Sequence, residues 1–354
     1  MTKNTYFYKD KPIFGLDIGF SSAKVMQLEK TGEKYAVTGY GVAGFDPSII
    51  ENGEIINCQP IAESIYNLFK KGLVGEITTR RVVFSVPSAR TFTRILSLPK
   101  LAEKDMLEAV KLEAEQYIPI PLDELYIDYM PTFKTEKNIH VLVVAVPKKI
   151  IDSYVTLAKI LDLEPVVMEP TTGATSRVFQ YNDNSNVPTV LIDFGSVSSD
   201  ITIFDKTLAV TGTVPGGGDD ITEHIKNKLK VTKDEAQVIK VKYGISKSKK
   251  QKEITEAISP MLEQLIKEVK RMIRYYEERS AEHRKIEQVV TFGGGANIPG
   301  LSEYLIDNLR MPVRACDPWN NIKFKKLQPP NEIESSMYIT VAGLALMEPR
   351  EIFK

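Results

Sequence analysis

Apolar residues along this chain fall into short, nearly continuous runs broken by glycine-containing turns, and the runs recur twice in the same order. Segments 12–18, 22–30 and 34–42 have the length and composition of strands, with Gly32 marking a turn. A helix is predicted from Pro60 to Lys71, and Arg81-Val82-Val83-Phe84-Ser85-Val86 reads as a further, buried strand. The second half repeats the scheme. It has strands near 189–194, 199–205 and 208–214, a helix beginning near Gly217, more helical sequence, and a strand at Glu287-Gln288-Val289-Val290-Thr291-Phe292. Such a tandem of β-β-β-α-β units is an internal repeat, legible in the order of elements rather than residue by residue.

Between the units, residues 88–166 have another character. A strand at 91–96, a helix at 103–117, strands at 125–133 and 139–146 and a helix at 148–161 predict a small α+β module. Met106, Leu107, Val110, Ala114 and Tyr117 recur at spacings of three and four, which gives the first helix one packing face. Pro119 and Pro121 end it, because proline supplies no N–H and restricts the residue before it. After Pro260 a long helix places Leu262, Leu265, Ile266, Val269, Met272, Ile273 and Tyr276 on one side. The expected organisation is a first lobe of residues 1–87 with a C-terminal helix at about 335–350, an inserted subdomain at 88–166, and a second lobe at 167–334 with a helical subdomain at about 221–285.

A chain of 354 residues exceeds what one core usually supports, so two lobes are expected on size alone. Lys plus Arg and Asp plus Glu both number 46, and this balance argues against nucleic acid or an anionic membrane as partner. Lys240, Lys242, Lys247, Lys249, Lys250 and Lys252 read as a solvated basic loop, since Glu253 and Glu256 follow and no aromatic ladder accompanies them. Cys58 and Cys316 have no metal-ligand spacing and suggest no disulfide framework, which suits a reducing cytoplasm. The first residues do not resemble a signal peptide, and no run approaches the roughly 20 apolar residues that span a bilayer. A soluble chain without direct membrane insertion is expected. His140, His224 and His283 are scattered, so histidine-centred catalysis is not expected.

Two Asp-x-Gly turns carry the chemistry. Asp17-Ile18-Gly19 and Asp193-Phe194-Gly195 each follow an apolar run and precede a second strand. Glycine at such a turn lets backbone N–H groups approach an oxyanion, while the aspartate can hold a hydrated metal beside phosphates. Phe292-Gly293-Gly294-Gly295-Ala296-Asn297 lies between a strand and a helix, and its three glycines are read as allowing close ligand approach. Gly216-Gly217-Gly218 stands at a helix start, where free N–H groups and the helix dipole favour anions. Glu169 adds a carboxylate at a strand end, to be weighed as a base or as a helix cap or ion-pair partner.

These blocks, in this order, resemble the actin, Hsp70 and sugar kinase superfamily, an α/β, two-lobed, duplicated ribonuclease H-like ATPase fold. The resemblance implies ATP with Mg²⁺ ordered through water by Asp17 and Asp193. It implies β- and γ-phosphates bound by Gly19, Ser21 and Ser22 with Gly195, Ser196 and Ser198, and a phosphate lysine at Lys24. Gly217, Gly218, Gly294, Gly295 and Asn297 would border ribose and adenine, with Glu268 and Arg271 on the adenosine side, and Glu169 would stand near the attacking water. Within the superfamily the insertion, with Leu112-Glu113-Ala114-Glu115-Gln116-Tyr117-Ile118-Pro119, is similar to the PilM family of type IV pilus assembly, relatives of FtsA. That similarity implies a cytoplasmic platform, recruited to the inner face of the membrane by the N-terminal peptide of a PilN-like protein held between the first lobe and the inserted subdomain. Pilus assembly motor ATPases and self-association are implied as further interactions, with slow ATPase activity. An FtsA-like filament former and a type II secretion platform are the alternatives. The segment 346–354 lacks the amphipathic pattern of a membrane anchor, which weighs against the filament former. No distinctive sugar-binding motif supports a small-molecule kinase.

Overall fold

All five residues of β1 (Phe14–Ile18) are buried, and a strand without a polar face belongs in the middle of a sheet covered on both sides. β2 (Ser22–Thr31) pairs antiparallel with β1, and β3 (Lys34–Gly44) pairs antiparallel with β2. After α1 (Cys58–Asn67), β4 (Arg81–Val86) pairs parallel to β1 on its other side. The computed structural model describes residues 11–183, 185–280 and 284–352; Tyr6, Phe7, Tyr8 and His283 lie outside them.

A separate three-stranded sheet then forms from β5 (Phe92–Pro99), β6 (Leu125–Lys134) and β7 (Asn138–Pro147), with β7 central and α2 (Glu103–Ala114) on one face. Met106 and Val110 of α2 share a core with Leu96, Val141 and Val143, as the three-and-four spacing predicts. The chain returns through α3 (Lys148–Ile160) to β8 (Glu164–Pro170) and α4 (Thr171–Asn182). β8 pairs parallel to β4, so the first sheet has the order β8-β4-β1-β2-β3, with two-residue strands at Val74–Gly75 and Ile322–Lys323 added at β3.

The second half holds β9 (Thr189–Phe194), β10 (Ser198–Asp205), β11 (Thr207–Pro215), α5 (Gly218–Leu229), α6 (Lys233–Lys242), α7 (Gln251–Arg279), β12 (Gln288–Phe292), α8 (Leu301–Leu309) and β13 (Val313–Ala315). Its sheet runs β11-β10-β9-β12-β13. In both sheets the strands of the unit stand in the order third, second, first, fourth, fifth. The sequence pattern reveals the first four strands of each unit; of the fifth, β8 is legible only as a strand end at Glu169, and β13 escapes it. β8 contains two prolines and an apolar run of only three residues, Val166 to Met168, and β13 is three residues long.

The chain divides into two compact units. One runs to Val178 and takes up Trp319–Pro329 and the segment from Thr340, whereas the other is Phe179–Pro318 with Pro330–Ile339. The second lobe therefore starts at Phe179 rather than at 167, because β8 is hydrogen-bonded into the first sheet. The inserted module is also shorter than 88–166. Ile150, Tyr154, Leu157 and Ala158 of α3 pack in one core with Phe14, Leu16 and Phe84, so α3 covers the first sheet. Pro260 does not begin the long helix but lies inside α7, whose preceding turns are held by buried Ile254 and Ile258; tertiary packing overrides local propensity there. The C-terminal helix expected at about 335–350 is instead α9 (Ile339–Ala345), preceded by a four-residue helix at Glu332–Ser335. Leu344 of α9 comes so near β1 that a Cβ on Gly15 would lie 2.7 Å from its own Cβ.

Candidate functional site

Asp17, next to last in β1, stands directly opposite Lys24 on β2. Both are buried, with Lys24 Nζ 3.5 Å from Asp17 Oδ2. Ser85, at the end of β4, donates its hydroxyl to Asp17 Oδ1 at 2.6 Å. Tyr154 of α3 packs edge-on against Phe84 with ring centroids 5.8 Å apart, and burial, helped by the Asp17 charge, pushes its phenol above the ordinary range. Neither Ser85 nor Tyr154 belongs to a motif. The available signal was one hydroxyl in an otherwise apolar strand end and one tyrosine in an apolar helix stripe. The hairpin tip is closed by the Gly19 N–H donating to the Ser22 carbonyl at 2.9 Å, and the Ser21 carbonyl accepts from Phe45 at 3.0 Å. The N–H groups of Phe20 and Ser21 take part in none of these backbone bonds.

The other unit repeats this turn. Gly195 N–H donates to the Ser198 carbonyl at 3.0 Å, three residues on as in the first hairpin, and the N–H groups of Ser196 and Val197 join none of the tip bonds. The residue facing the aspartate differs, because Asp200 stands opposite Asp193 where the first hairpin has a lysine. Thr213 donates its hydroxyl to Asp200 at 2.6 Å.

Behind this second tip lies the start of α5. Gly216, Gly218 and Asp219 donate their N–H groups to the carbonyls of Val197, Gly195 and Ser196 at 3.1, 2.9 and 2.8 Å. Gly217 N–H donates to the Asp220 carboxylate at 3.0 Å. The amides expected to receive an anion at the α5 start are thus engaged by the hairpin and a cap, and their role is to fix the tip. Gly217 is required by that contact, since a Cβ would lie 2.4 Å from the Ser196 carbonyl carbon. Lys240 does not belong to a solvated loop. It sits on α6, buried, and donates to the Gly218 carbonyl at 2.7 Å and the Thr222 hydroxyl at 2.8 Å. Burial lowers its pKa, against the opposing influence of Asp219.

Two of the three consecutive glycines after β12 also answer to packing. Gly293 has φ 77°, and a Cβ there would lie 2.5 Å from Asp193 Oδ1, while one on Gly295 would lie 2.6 Å from Phe194 Cβ. Gly294 is exposed, with only Met337 Cγ at 3.8 Å from such a Cβ. Asn297 is exposed too, and donates to Ser336 Oγ at 2.9 Å. Gly294 and Asn297 are the exposed members of this turn.

Glu169 stands opposite Ser85 in the register of β8 and β4, one strand beyond Asp17, whereas Glu268 and Arg271 lie on α7. Both oxygens of Glu169 accept from Arg177, at 2.6 and 2.9 Å, and Arg177 also donates to the Gly343 carbonyl at 2.8 Å. This bidentate pair ties β8 to α4 and α9, the ion-pair reading of Glu169 rather than the catalytic one. Glu268 and Arg271 bind one another, with Arg271 Nε donating at 2.9 Å. Glu268 lies beside Gly212 of β11, whereas Met261 of α7 reaches the Gly216 turn. Seven residues of helix, roughly 10 Å, separate the two positions.

Each unit thus has an aspartate near a strand end beside a glycine hairpin tip, and two N–H groups of each tip join none of its backbone bonds. Asp17 already accepts from a hydroxyl and faces an ammonium, so its free electron pairs suit a cation held through water. Among the described residues no group of three or more His, Cys, Asp or Glu side chains converges to ligate a metal directly.

Two five-stranded sheets of one order, each opened by an Asp-x-Gly hairpin, with an α+β module inserted after the fourth strand of the first, define an actin-like fold. The fold is similar to that of a chain of a PilM-PilN type IV pilus biogenesis complex, with 22% identity, a TM-score of 0.82 and coverage of 95% of this chain and 98% of that one. It is similar at greater distance to MreB 5 of Spiroplasma citri bound to AMPPNP, with 12% identity, a TM-score of 0.52 and 94% of both chains covered. In sequence it is 22% identical over 348 residues to the cell division protein FtsA of Bacillus subtilis, covering 86% of this chain and 78% of that protein. Residues 15–349 match the model of the type IV pilus assembly protein PilM, and the chain belongs to that family.

Proposed function

We propose that this protein is an ATP-binding platform of type IV pilus assembly that holds the N-terminal cytoplasmic peptide of a PilN-like membrane protein. The observation that carries the ATP reading is the pair of hairpins with one turn geometry, Gly19 to Ser22 and Gly195 to Ser198. An actin-like neighbour of similar fold is bound to AMPPNP. The tips, with Gly19, Ser21, Ser22, Gly195, Ser196 and Ser198, take the phosphates, Lys24 adds a cation, and Asp17 and Asp193 order Mg²⁺ through water. Gly294 and Asn297 border the nucleoside. Glu169 is not proposed as a base, since Arg177 engages both its oxygens; binding, with slow turnover, is the activity.

The partner follows from the likeness to the PilM-PilN complex. In this reading the inserted module and the first lobe hold the peptide, and the protein works at the cytoplasmic face of the inner membrane, contacting the assembly motors and further copies of itself. Among the described residues no helix is long and apolar enough to cross a membrane. Calorimetric titration with the N-terminal peptide of a PilN-like protein from the same genome, with and without Mg-ATP, tests both parts. Saturable peptide binding and a separate Mg-ATP isotherm are expected; no peptide binding in either state would favour the filament-forming alternative.

A further inference from the structure

Five of the chain's 46 basic residues, and none of its 46 acidic ones, lie between 242 and 252. The overall charge balance hides this segregation. Lys242, Lys247, Lys249, Lys250 and Lys252 run from the end of α6 across a loop to the start of α7, and all five are exposed. Among the described residues none of them enters an ion pair. Two nearby carboxylates are already engaged: Glu235 accepts from the Thr232 N–H and hydroxyl at 2.9 and 3.0 Å, and Glu256 pairs with Lys228 at 2.9 Å. The Thr232 bonds hold the Glu235 carboxyl below its usual range and the charge of Lys250 adds to them, which places the loop beside the first turn of α6. Asp234 and Glu253 remain, against five lysines. Ala236 and Ile239 of α6 join the core of the second unit, whereas Val238 and Val241, 60% and 42% exposed, stand outside it next to Lys242.

We infer that this lysine loop, with Val238 and Val241, is a contact surface for an anionic phospholipid bilayer, a second attachment that does not pass through the partner peptide. Three features choose this occupant. All five cations are lysines, point charges on flexible stems that suit a fluid headgroup layer, whereas fixed bidentate recognition of a macromolecule calls for arginine, and residues 242–252 contain none. Tyr243 is the one aromatic residue among them, half-buried and with Lys242 5.4 Å from its ring, so bases find no stacking platform. Exposed valines beside lysines combine apolar contact with positive charge, the composition of a surface that lies against headgroups without crossing the bilayer.

The test needs neither nucleotide nor peptide. The full chain is floated with vesicles of phosphatidylglycerol mixed into phosphatidylcholine, and with vesicles of phosphatidylcholine alone. Binding to the first and not to the second is expected, and it should be lost between about 0.1 M and about 1 M salt as the screening length shrinks. Lys247→Gln, Lys249→Gln and Lys250→Gln together should weaken partitioning roughly hundredfold, and Lys249→Gln alone roughly fivefold, at an unchanged thermal midpoint. Val238→Ser with Val241→Ser should weaken it without altering the salt dependence. The same exchange to glutamine at Lys104, Lys134 and Lys137, exposed on the inserted module, controls for bulk charge and should leave partitioning near the wild-type value. Wild-type protein that ignores the anionic vesicles, or binds both kinds equally, would overturn the inference, as would an equal loss in the control variant. Binding of duplex DNA or polyglutamate as tight as that of anionic vesicles would also overturn it, since the loop would then select no surface. Should the triple variant fail to fold, Lys249→Gln decides, and unchanged partitioning there overturns the inference.

Discussion

Asp17 and Glu169 are both carboxylates at the ends of parallel-sheet strands, yet their partners separate their roles. Asp17 accepts from Ser85 and faces Lys24, which holds it in place without exhausting its oxygens. Asp17→Asn keeps the shape and the Ser85 contact while removing the charge proposed to order a hydrated cation. Its Mg-ATP affinity should fall to the value measured for wild type without magnesium, and its thermal midpoint should fall as well, because Lys24 is left buried without its ion-pair partner; retained magnesium dependence in calorimetry would reject the assignment. Glu169 is saturated by Arg177, with its side chain only 13% exposed. Glu169→Gln breaks a charge-assisted bidentate pair and should cost about 1.5–3 kcal/mol of stability in urea unfolding. ATP affinity and turnover should stay as they are, and slower turnover at unchanged stability would restore Glu169 as a base. From sequence the Asp-x-Gly turn singles out Asp17, whereas Glu169 stays open between base and ion-pair partner, because a strand-end carboxylate carries no record of the arginine eight positions on that folds back to it.

At the scale of elements, the turn after β12 shows how a motif can be read correctly as special and for the wrong reason. Three consecutive glycines signal close approach, but for two of them the approaching atoms belong to Asp193 and Phe194. Gly293→Ala places a side chain at positive φ and 2.4 Å from the Phe194 carbonyl oxygen; it should destabilise the protein by more than about 1 kcal/mol, as such substitutions do. Gly294→Ala has room and should leave the unfolding midpoint unchanged while lowering nucleotide affinity. The pair separates packing from ligand approach, and if Gly294→Ala binds ATP as the wild type does, Gly294 does not border the nucleoside. The same distinction applies at the start of α5, where the glycine cluster was legible and its amides were taken to be free. Whether an N–H is free depends on which hairpin packs against it, and that hairpin lies some twenty residues earlier in the chain.

For the whole molecule, the first unit is closed by a segment from the far end of the chain. Ile339, Val341, Ala342 and Leu344 of α9 are all buried, and Arg177 donates to the Gly343 carbonyl. A buried Val, Ile or Leu contributes about 1.5–3 kcal/mol, against a total of about 5–15 kcal/mol for a typical protein. Ending the chain after Tyr338 should therefore abolish cooperative unfolding of the first unit, as read by circular dichroism and limited proteolysis. A sharp transition in the truncated protein would show that α9 is dispensable. The repeat itself, with two Asp-x-Gly hairpins, two sets of three meandering strands and an α+β module between them, was written in the sequence, because strand periodicity and turn chemistry are local. So was the family, through the hairpins, the glycine clusters and the Leu112–Pro119 segment. Only the tertiary structure decided that β8 and β13 complete the sheets, that α3 belongs to the first lobe, that Glu169 is an ion-pair partner, and that Lys240 is buried against the first turns of α5. Each of those facts is a pairing between segments distant in the chain or a hydrogen bond from a residue with no motif, and a local pattern encodes neither.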